Sequence, residues 1–143
     1  MGAGRPLLLV PHYGDFPTIG ESVLIAWKET RESAIAVRDA LPFLAQARKV
    51  VVMSIAGPGD DAVRETLSDA GIATWLARHR IDATVRHEVA ADIDVGNLLL
   101  SRAADLSSAL GVMGAYSRTR MSERVWGGVT RLMLEAMTLP VLM

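Results

Sequence analysis

The stretch MGAYSRTRMSERVWGGVTR, residues 113–131, holds the residues of this chain best suited to bind an anion. An apolar run ends at Gly114, hydroxyl and basic side chains follow, and Gly127 and Gly128 lie together inside a helical pattern. A glycine-rich turn before a helix N-terminus offers successive backbone N–H groups and the positive end of the helix dipole. The pattern therefore suggests a phosphate-binding loop. Further donors to that phosphate would be Ser117, Arg118, Arg120, Thr130 and, from a neighbouring loop, Lys28.

The same glycines have a second interpretation that involves no ligand. Gly114 would allow a tight turn after a strand, and Gly127 and Gly128 would let the last helix pack closely on a sheet. Each glycine inside a helix lowers helix stability by about 1 kcal/mol relative to alanine. Either interpretation must therefore explain why Gly127 and Gly128 stand next to each other. The sequence alone leaves both interpretations open.

Other residues that do chemistry in proteins lack the spacing of a site. His12, His79 and His87 are scattered along the chain, without the spacing of metal ligands. Trp27 and Trp126 have rings that can stack on a base, but aromatic residues at such positions are more often part of a core. No nucleophile is accompanied by a recognisable general base. The sequence predicts no catalytic residue and no metal site, and the protein is not expected to be an enzyme.

Short β-rich runs alternate with amphipathic helical stretches from residue 22 onward. The predicted strands are residues 22–27, 49–55, 82–87, 109–113 and 139–143. A helix is predicted over residues 30–47, with Thr30 as its N-cap and a kink or stop at Pro42. A second helical stretch ends at His79 after a break at Gly71, a third helix spans residues 94–108, and the last helix ends near Met137. Alternation at this spacing predicts an α/β fold: a single doubly wound parallel five-stranded sheet with helices on both faces.

Ligands of such sheets bind beyond the carboxyl ends of the strands, where the strand order reverses. The turns at Trp27–Thr30 and after Met113 are the two candidates. The N-terminal RPLLLVP resembles the C-terminal LPVLM, and it predicts an extra edge strand beside Val141, paired within the chain or exchanged across a dimer. We therefore divide the chain into an N-terminal strand and linker, residues 1–21, and a domain, residues 22–143.

Composition narrows the class of protein further. The chain has 143 residues, half of them hydrophobic, a formal net charge of −1 and no cysteine. A near-neutral charge gives no indication of nucleic-acid binding, and no apolar run approaches the roughly 20 residues that span a bilayer. The sequence predicts a soluble, cytoplasmic protein of one domain, with neither nucleic acid nor a membrane as its partner.

From residue 22 onward the chain resembles the universal stress protein family. The resemblance rests on SVLIAWKETRESAIAVRDALPFL at the first strand and helix, and on VMGAYSRTRMSERVWGGVTR with TLPVLM at the end. Family members that bind ATP carry a glycine, two residues, a second glycine, nine residues, a third glycine and then a serine or threonine. The spacing is kept here by Gly114, Ser117, Gly127 and Gly128.

Three positions depart from that pattern. Ser117 stands in place of the second glycine, and Gly128 stands in place of the hydroxyl residue. Lys28 stands where ATP-binding members usually have an acidic residue that accepts hydrogen bonds from adenosine, and an ammonium group has no acceptor lone pair. The resemblance implies ATP or AMP, with Mg, as the ligand. The residues that it implies for the site are Trp27, Lys28, Gly114, Ser117, Arg118, Gly127 and Gly128.

The resemblance also implies a fold, a function and a partner. The fold is that of the adenine-nucleotide alpha-hydrolase-like proteins, and the function is a stress response exerted through dimerisation and a nucleotide or other phosphate ligand. The alternatives are a nucleotide-independent interaction module and, less favoured, a weak ATPase. The implied partner is a second copy of the chain, paired through edge strands 139–143, 6–10 or both.

The N-terminal strand suggests one further feature of organisation. The chain is similar to the C-terminal domain of a tandem universal stress protein, preceded by the last strand of another repeat. Whether it is a natural single domain or a fragment stays open at this level.

Overall fold

The strands and helices alternate along the chain as the sequence predicts. The computed structural model describes residues 5–57, 59–90, 94–115 and 124–143, and for residues 124–127 it describes the backbone only. The strands are β1 (Leu8–Leu9), β2 (Ser22–Trp27), β3 (Lys49–Ala56), β4 (Ala83–Val89), β5 (Leu110–Met113) and β6 (Val141–Leu142). The helices are α1 (Arg31–Asp39), α2 (Leu41–Leu44), α3 (Ala62–Arg78), α4 (Val95–Asp105) and α5 (Arg124–Ala136).

The six strands form one sheet in the order β1-β6-β5-β2-β3-β4. The five strands from β2 to β6 run parallel to their neighbours, while β1 runs antiparallel to β6. The chain moves outward from β2 to β4 and then returns to the other side of β2 with β5. The sheet is therefore doubly wound, and its strand order reverses between β2 and β5. The predicted five-stranded parallel sheet with an extra N-terminal edge strand is confirmed.

The extra strand β1 pairs within the chain. Leu8 lies opposite Leu142 and Leu9 lies opposite Val141. Leu7 and Met143 exchange both of their backbone hydrogen bonds, each at 2.9 Å. The edge of β6 is thus occupied by the chain's own N-terminal segment, beside Val141 as the sequence predicts.

Helices cover both faces of the sheet, and the helices on each face bury their own apolar cluster. On one face, α1, α2 and α3 pack over Val23, Ile25 and Val52. On the other face, α4 and α5 pack over Leu24 and Met53. The alternation of neighbouring residues such as Val23 and Leu24 between the two clusters follows from the two-residue period of a strand.

Local signals in the sequence explain the ends of several helices, with one exception. The Thr30 hydroxyl accepts a hydrogen bond from the Ser33 N–H at 3.2 Å and so caps α1, as predicted. The predicted stop at Pro42 is a break between α1 and α2, with Pro42 in the first turn of α2. The break predicted at Gly71 is wrong, because α3 continues through this residue for its full 17 residues.

Candidate functional site at the strand reversal

The two predicted binding turns lie side by side. Strands β2 and β5 are neighbours, with Ala26 opposite Met113, so Lys28 and Gly114 follow adjacent strand ends at the same edge of the sheet. Ser117, Arg118 and Arg120 lie outside the described residues, as does the side chain of Trp126. The backbone of Gly127 and Gly128 belongs to α5, which begins at Arg124.

The first glycine of this region has a packing role. A Cβ atom at Gly114 would lie 2.7 Å from the Ser33 amide nitrogen and 2.8 Å from the Glu32 carbonyl carbon. Both atoms belong to the backbone of α1, which cannot move aside without disturbing the helix. Close approach of α1 to the end of β5 therefore explains why this position is a glycine, with or without a ligand.

Gly128 has no such role among the residues that the structure describes. A Cβ atom added there would meet none of their atoms within 4 Å, and the residue is exposed. The packing interpretation of the sequence thus accounts for Gly114 and fails to account for Gly128. Gly128 lies just beyond the first turn of α5, where backbone amides and the helix dipole favour an anion.

Lys28 lies beside the loop that follows β3. Its ammonium nitrogen is 3.7 Å from Oδ2 of Asp60, and the two side chains are partly exposed, at 22% and 30%. The same carboxylate oxygen accepts a hydrogen bond from the Gly57 N–H at 2.7 Å. Lys28 stands where ATP-binding members of the family have an acidic residue. Here Lys28 is paired with Asp60, which lies in the loop after β3.

Trp27 belongs to the core on the α1 and α3 face. Its ring is buried, and its indole N–H donates a hydrogen bond to the Ser68 hydroxyl of α3 at 2.8 Å. This contact fixes the ring against α3. Trp27 ends β2 and Gly114 follows the neighbouring strand β5, but the Trp27 indole is hydrogen-bonded to α3.

The structure also assembles a polar cluster that spacing along the sequence does not reveal. The Ser54 hydroxyl donates to Oδ2 of Asp69 at 2.8 Å, and Nδ1 of His87 lies 2.9 Å from the Ser54 oxygen. Because the only hydroxyl proton goes to Asp69, Nδ1 of His87 must carry the proton of the second hydrogen bond. His87 therefore cannot act as the base for Ser54, which is moreover fully buried. The three residue types of a hydrolytic triad are present without its geometry.

Charged groups gather around this cluster along the carboxyl ends of β2, β3 and β4. Burial raises the pKa of Glu65 above 4.5, and the nearby Asp60 and Asp69 carboxylates add to the rise. Lys28 and His87 oppose it. Oδ1 of Asp69 is a buried oxygen that has no hydrogen-bond partner among the described residues. The arrangement can position charge, but it does not generate a nucleophile.

Two classes of feature are absent from the part of the chain that the structure describes. Within those residues no group of three or more histidine, cysteine, aspartate or glutamate side chains is placed to hold a metal ion. No described helix is both long enough and apolar enough to cross a membrane.

Comparison with protein-family models and with curated protein sequences gave no match. Solved structures do match. A universal stress protein from Archaeoglobus fulgidus DSM 4304 superimposes with a TM-score of 0.72 and 13% identity, over 96% of this chain and 48% of that protein. A universal stress protein family member from Burkholderia pseudomallei gives a TM-score of 0.66 and 21% identity, over 87% of this chain and 96% of its own.

A further universal stress protein from Archaeoglobus fulgidus gives a TM-score of 0.64 and 13% identity, over 84% of this chain and 95% of that one. The chain thus spans about half the length of the first of these three proteins and nearly the whole length of the other two. At such low identity the agreement concerns the fold. The order of the strands in the sheet and the similarity to these solved structures show that the chain has the universal stress protein fold. This confirms the fold that the sequence resemblance predicts.

Proposed function

We propose that this chain is a cytoplasmic stress-response domain of the universal stress protein type, which binds ATP, AMP or another phosphate-bearing ligand at the strand reversal and associates with a second copy of itself. The ligand's phosphates would approach the N-terminal part of α5, and its remaining part would lie towards the end of β2. Binding, rather than chemical conversion of the ligand, would be the signal.

The observation that carries the proposal is Gly128. A glycine inside a helix costs about 1 kcal/mol relative to alanine. Packing against the described part of the chain does not account for it, because a Cβ atom there would meet none of those atoms within 4 Å. Close approach of a ligand to the helix backbone would account for it. Gly128 directly follows Gly127, which keeps the spacing of the third glycine in the family's ATP-binding members, and it stands where those members have a serine or threonine.

Calorimetric titration with ATP, ADP and AMP in the presence of magnesium tests the proposal, after a denatured sample has been checked for released nucleotide. We expect micromolar affinity for at least one nucleotide. Gly128→Leu should weaken it by about tenfold or more, because the new side chain would occupy the space of the phosphates. Leu134→Ala, an exposed change further along α5, serves as the control. Absence of binding and of released nucleotide would sink the proposal.

Lys28→Asp asks whether adenosine is recognised at the end of β2. The substitution restores the acceptor that ATP-binding members have, so ATP should bind more tightly. Unchanged or weaker affinity would contradict a nucleoside contact at this position. Inorganic phosphate, titrated in parallel, separates recognition of the phosphates from recognition of the nucleoside.

The alternative function is a nucleotide-independent interaction module, and two observations favour it. The Lys28–Asp60 ion pair, at 3.7 Å, occupies the end of β2 with the chain's own residues. The contact of α1 with Gly114 accounts for that glycine without a ligand. A protein that binds none of the three nucleotides but still self-associates would support this alternative.

Self-association would use the outer edge of β1. The β6 edge, residues 139–143, already pairs with β1, whereas Leu8 and Val10 are 40% and 49% exposed. Backbone groups alternate in direction along a strand, so the bonds of Leu7 to Met143 leave the N–H of Leu8 facing outward. An open edge of this kind accepts another strand.

Proline substitutions distinguish the two edges. Leu8→Pro removes an outward donor and keeps the pairing of β1 with β6, so a dimer built on residues 6–10 should dissociate. Leu7→Pro removes the N–H that donates to Met143, so it should release β1 and expose β6. Sedimentation of both variants and the unmodified chain gives their masses. A dimer that survives Leu8→Pro would place the contact elsewhere, and a monomer at all concentrations would contradict self-association.

A further inference from the structure

A large groove lies between α1 and α3, and one end of it reaches the turn at Trp27–Thr30. Its volume is about 660 Å³, within the range of roughly 300–1,000 Å³ typical of small-molecule sites. Apolar side chains dominate its lining, including those of Trp27, Leu67, Ile72 and Trp75. Leu67 is 69% exposed, so this apolar surface faces open space rather than a neighbouring element.

Among the described residues, no side chain fills the groove at Gly71. This glycine lies in the middle of α3 and lines the groove, yet a Cβ atom there would meet nothing within 4 Å. Neither a turn nor close packing explains it, because α3 is continuous and its φ angle is not positive. The glycine widens the groove at a cost of about 1 kcal/mol in helix propensity.

The aromatic side chains that line the groove are held in place before any ligand arrives. The indole N–H of Trp27 is bound to Ser68 at 2.8 Å. The ring of Trp75 lies 4.1 Å from the ring of His79, one turn further along α3. Rings held in this way bind a flat ligand at a small entropic cost, which is the advantage of a preorganised site.

The charges at the groove favour an anion. Arg31 and Arg38 line it, against a single carboxylate, that of Glu29. Glu29 is already engaged by Arg64 at 3.5 Å, a residue outside the groove lining. Arg38 pairs with Asp39 at 3.0 Å, which leaves Arg31 as the cation best able to meet a ligand. Thr30 and Arg31 begin α1, so the positive end of that helix dipole lies at the same end of the groove.

We propose that the α1/α3 groove is a binding site for a planar aromatic anion, a ring system that carries one carboxylate or sulfonate group. The rings lie along Trp75 and over Gly71, and the acidic group faces Arg31 and the N-terminus of α1. The site shares the turn at Trp27–Thr30 with the strand reversal and extends from it between α1 and α3, and it stands whether or not a nucleotide binds near Gly128.

Anilinonaphthalene sulfonate, an aromatic sulfonate that fluoresces in apolar surroundings, is the probe for this site. Titration of the full chain should give saturable one-to-one binding, with energy transfer from tryptophan to the dye. Phenylnaphthylamine, which has similar rings and no charge, reports the apolar contribution alone. Dye binding that does not saturate, or saturates at several dyes per chain, would overturn the proposal.

Matched substitutions locate the dye. Gly71→Leu fills the groove and should weaken dye binding by about tenfold or more, whereas Ala70→Leu adds the same side chain to an exposed position outside the groove and should change it by less than about twofold. Ala34→Leu narrows the groove from α1 and should act like Gly71→Leu, which covers the case in which Gly71→Leu unfolds the chain. Equal effects at positions 70 and 71, or no effect of the groove substitutions, would contradict the assignment.

Arg31→Gln tests the ligand's charge. It should weaken binding of the sulfonate dye by about fivefold and leave the uncharged dye unaffected. Equal loss for both dyes, or for neither, would refute an anionic ligand. Saturating ATP should not displace the dye, because the dye binds on the α3 side of the shared turn. Displacement would overturn this placement of the dye.

Discussion

The two helical layers that cover the sheet differ in how closely their helices approach each other. In the α4/α5 layer, Gly96 lies so near Leu132 that an added Cβ atom would be 2.6 Å from its Cδ2. In the α1/α3 layer, Gly71 faces open space and the helices flank a groove of about 660 Å³. The same element, a helix glycine, thus closes one layer and widens the other. Both layers bury an apolar cluster against the sheet, but only the α1/α3 layer also leaves a groove of this size among the described residues.

The largest expected difference in the free energy of unfolding is between truncating a buried leucine of the α4/α5 layer and truncating an exposed leucine of the α1/α3 layer. Leu99 of α4 is 2% exposed, and Leu99→Ala should lower the free energy of unfolding by about 2–5 kcal/mol, because it leaves a cavity in a packed core. Leu67→Ala, at a leucine that is 69% exposed on α3, should change it by no more than about 0.5 kcal/mol. Urea denaturation measures both. Similar losses at the two positions would mean that the layers are packed alike.

A smaller loss is expected where α1 meets the end of β5. Gly114→Ala should destabilise the fold by about 1–3 kcal/mol, since its Cβ would be 2.7 Å from a backbone nitrogen. Gly128→Ala introduces the same methyl group where nothing lies within 4 Å, and serves as the comparison for stability. A tolerated Gly114→Ala would show that α1 is free to shift and that this contact does not explain the glycine.

Alanine at the two helix glycines should change stability in opposite directions. Gly71→Ala should raise the free energy of unfolding by up to about 1 kcal/mol, because the helix gains and nothing clashes. Gly96→Ala should lower it or leave it unchanged, since Leu132 must move to admit the new Cβ. Thermal and chemical denaturation of the pair give the comparison. A destabilising Gly71→Ala would contradict the open space at α3.

The smallest expected effect is on the pH dependence of stability, and it comes from Glu65 near the start of α3. Burial raises the pKa of Glu65 in the folded state above 4.5, so the folded chain binds this proton more tightly than the unfolded chain does. Stability from this group is therefore present at low pH and decreases as the pH rises above 4.5 through the folded-state pKa. Glu65→Gln should make the decrease shallower, as urea denaturation between about pH 4 and pH 7 would measure. Glu135→Gln, an exposed change on α5, controls for the loss of charge, and identical pH profiles for the two would refute this assignment.

Much of the fold was predictable because its signals are local. Apolar runs of strand length, the cap at Thr30 and the break at Pro42 each act over a few residues, and the structure confirms them. The break predicted at Gly71 does not occur, because a glycine weakens a helix without ending it when the helix packs against a sheet. The anion-binding role of the region from Gly114 to Gly128 stays a prediction, since part of it lies outside the described residues.

The candidate site was predictable only in outline. That β2 and β5 lie side by side follows from the alternation of elements, so Lys28 and Gly114 were expected at one edge. The partner of Lys28, the cluster of Ser54, Asp69 and His87, and the groove beside Trp27 were not. Each joins residues from different elements, and no spacing along the chain encodes such a meeting.

The order of strands and helices, the doubly wound sheet and the place where its strand order reverses can be predicted from the amino-acid sequence. The reason is that hydrophobic periodicity and the handedness of crossovers act on neighbouring segments. Tertiary structure alone decided which glycines are needed for packing, which acid meets Lys28, and which pair of helices leaves a groove. Those outcomes depend on distances between segments far apart in the chain, where a difference of about one methyl group separates close contact from open space.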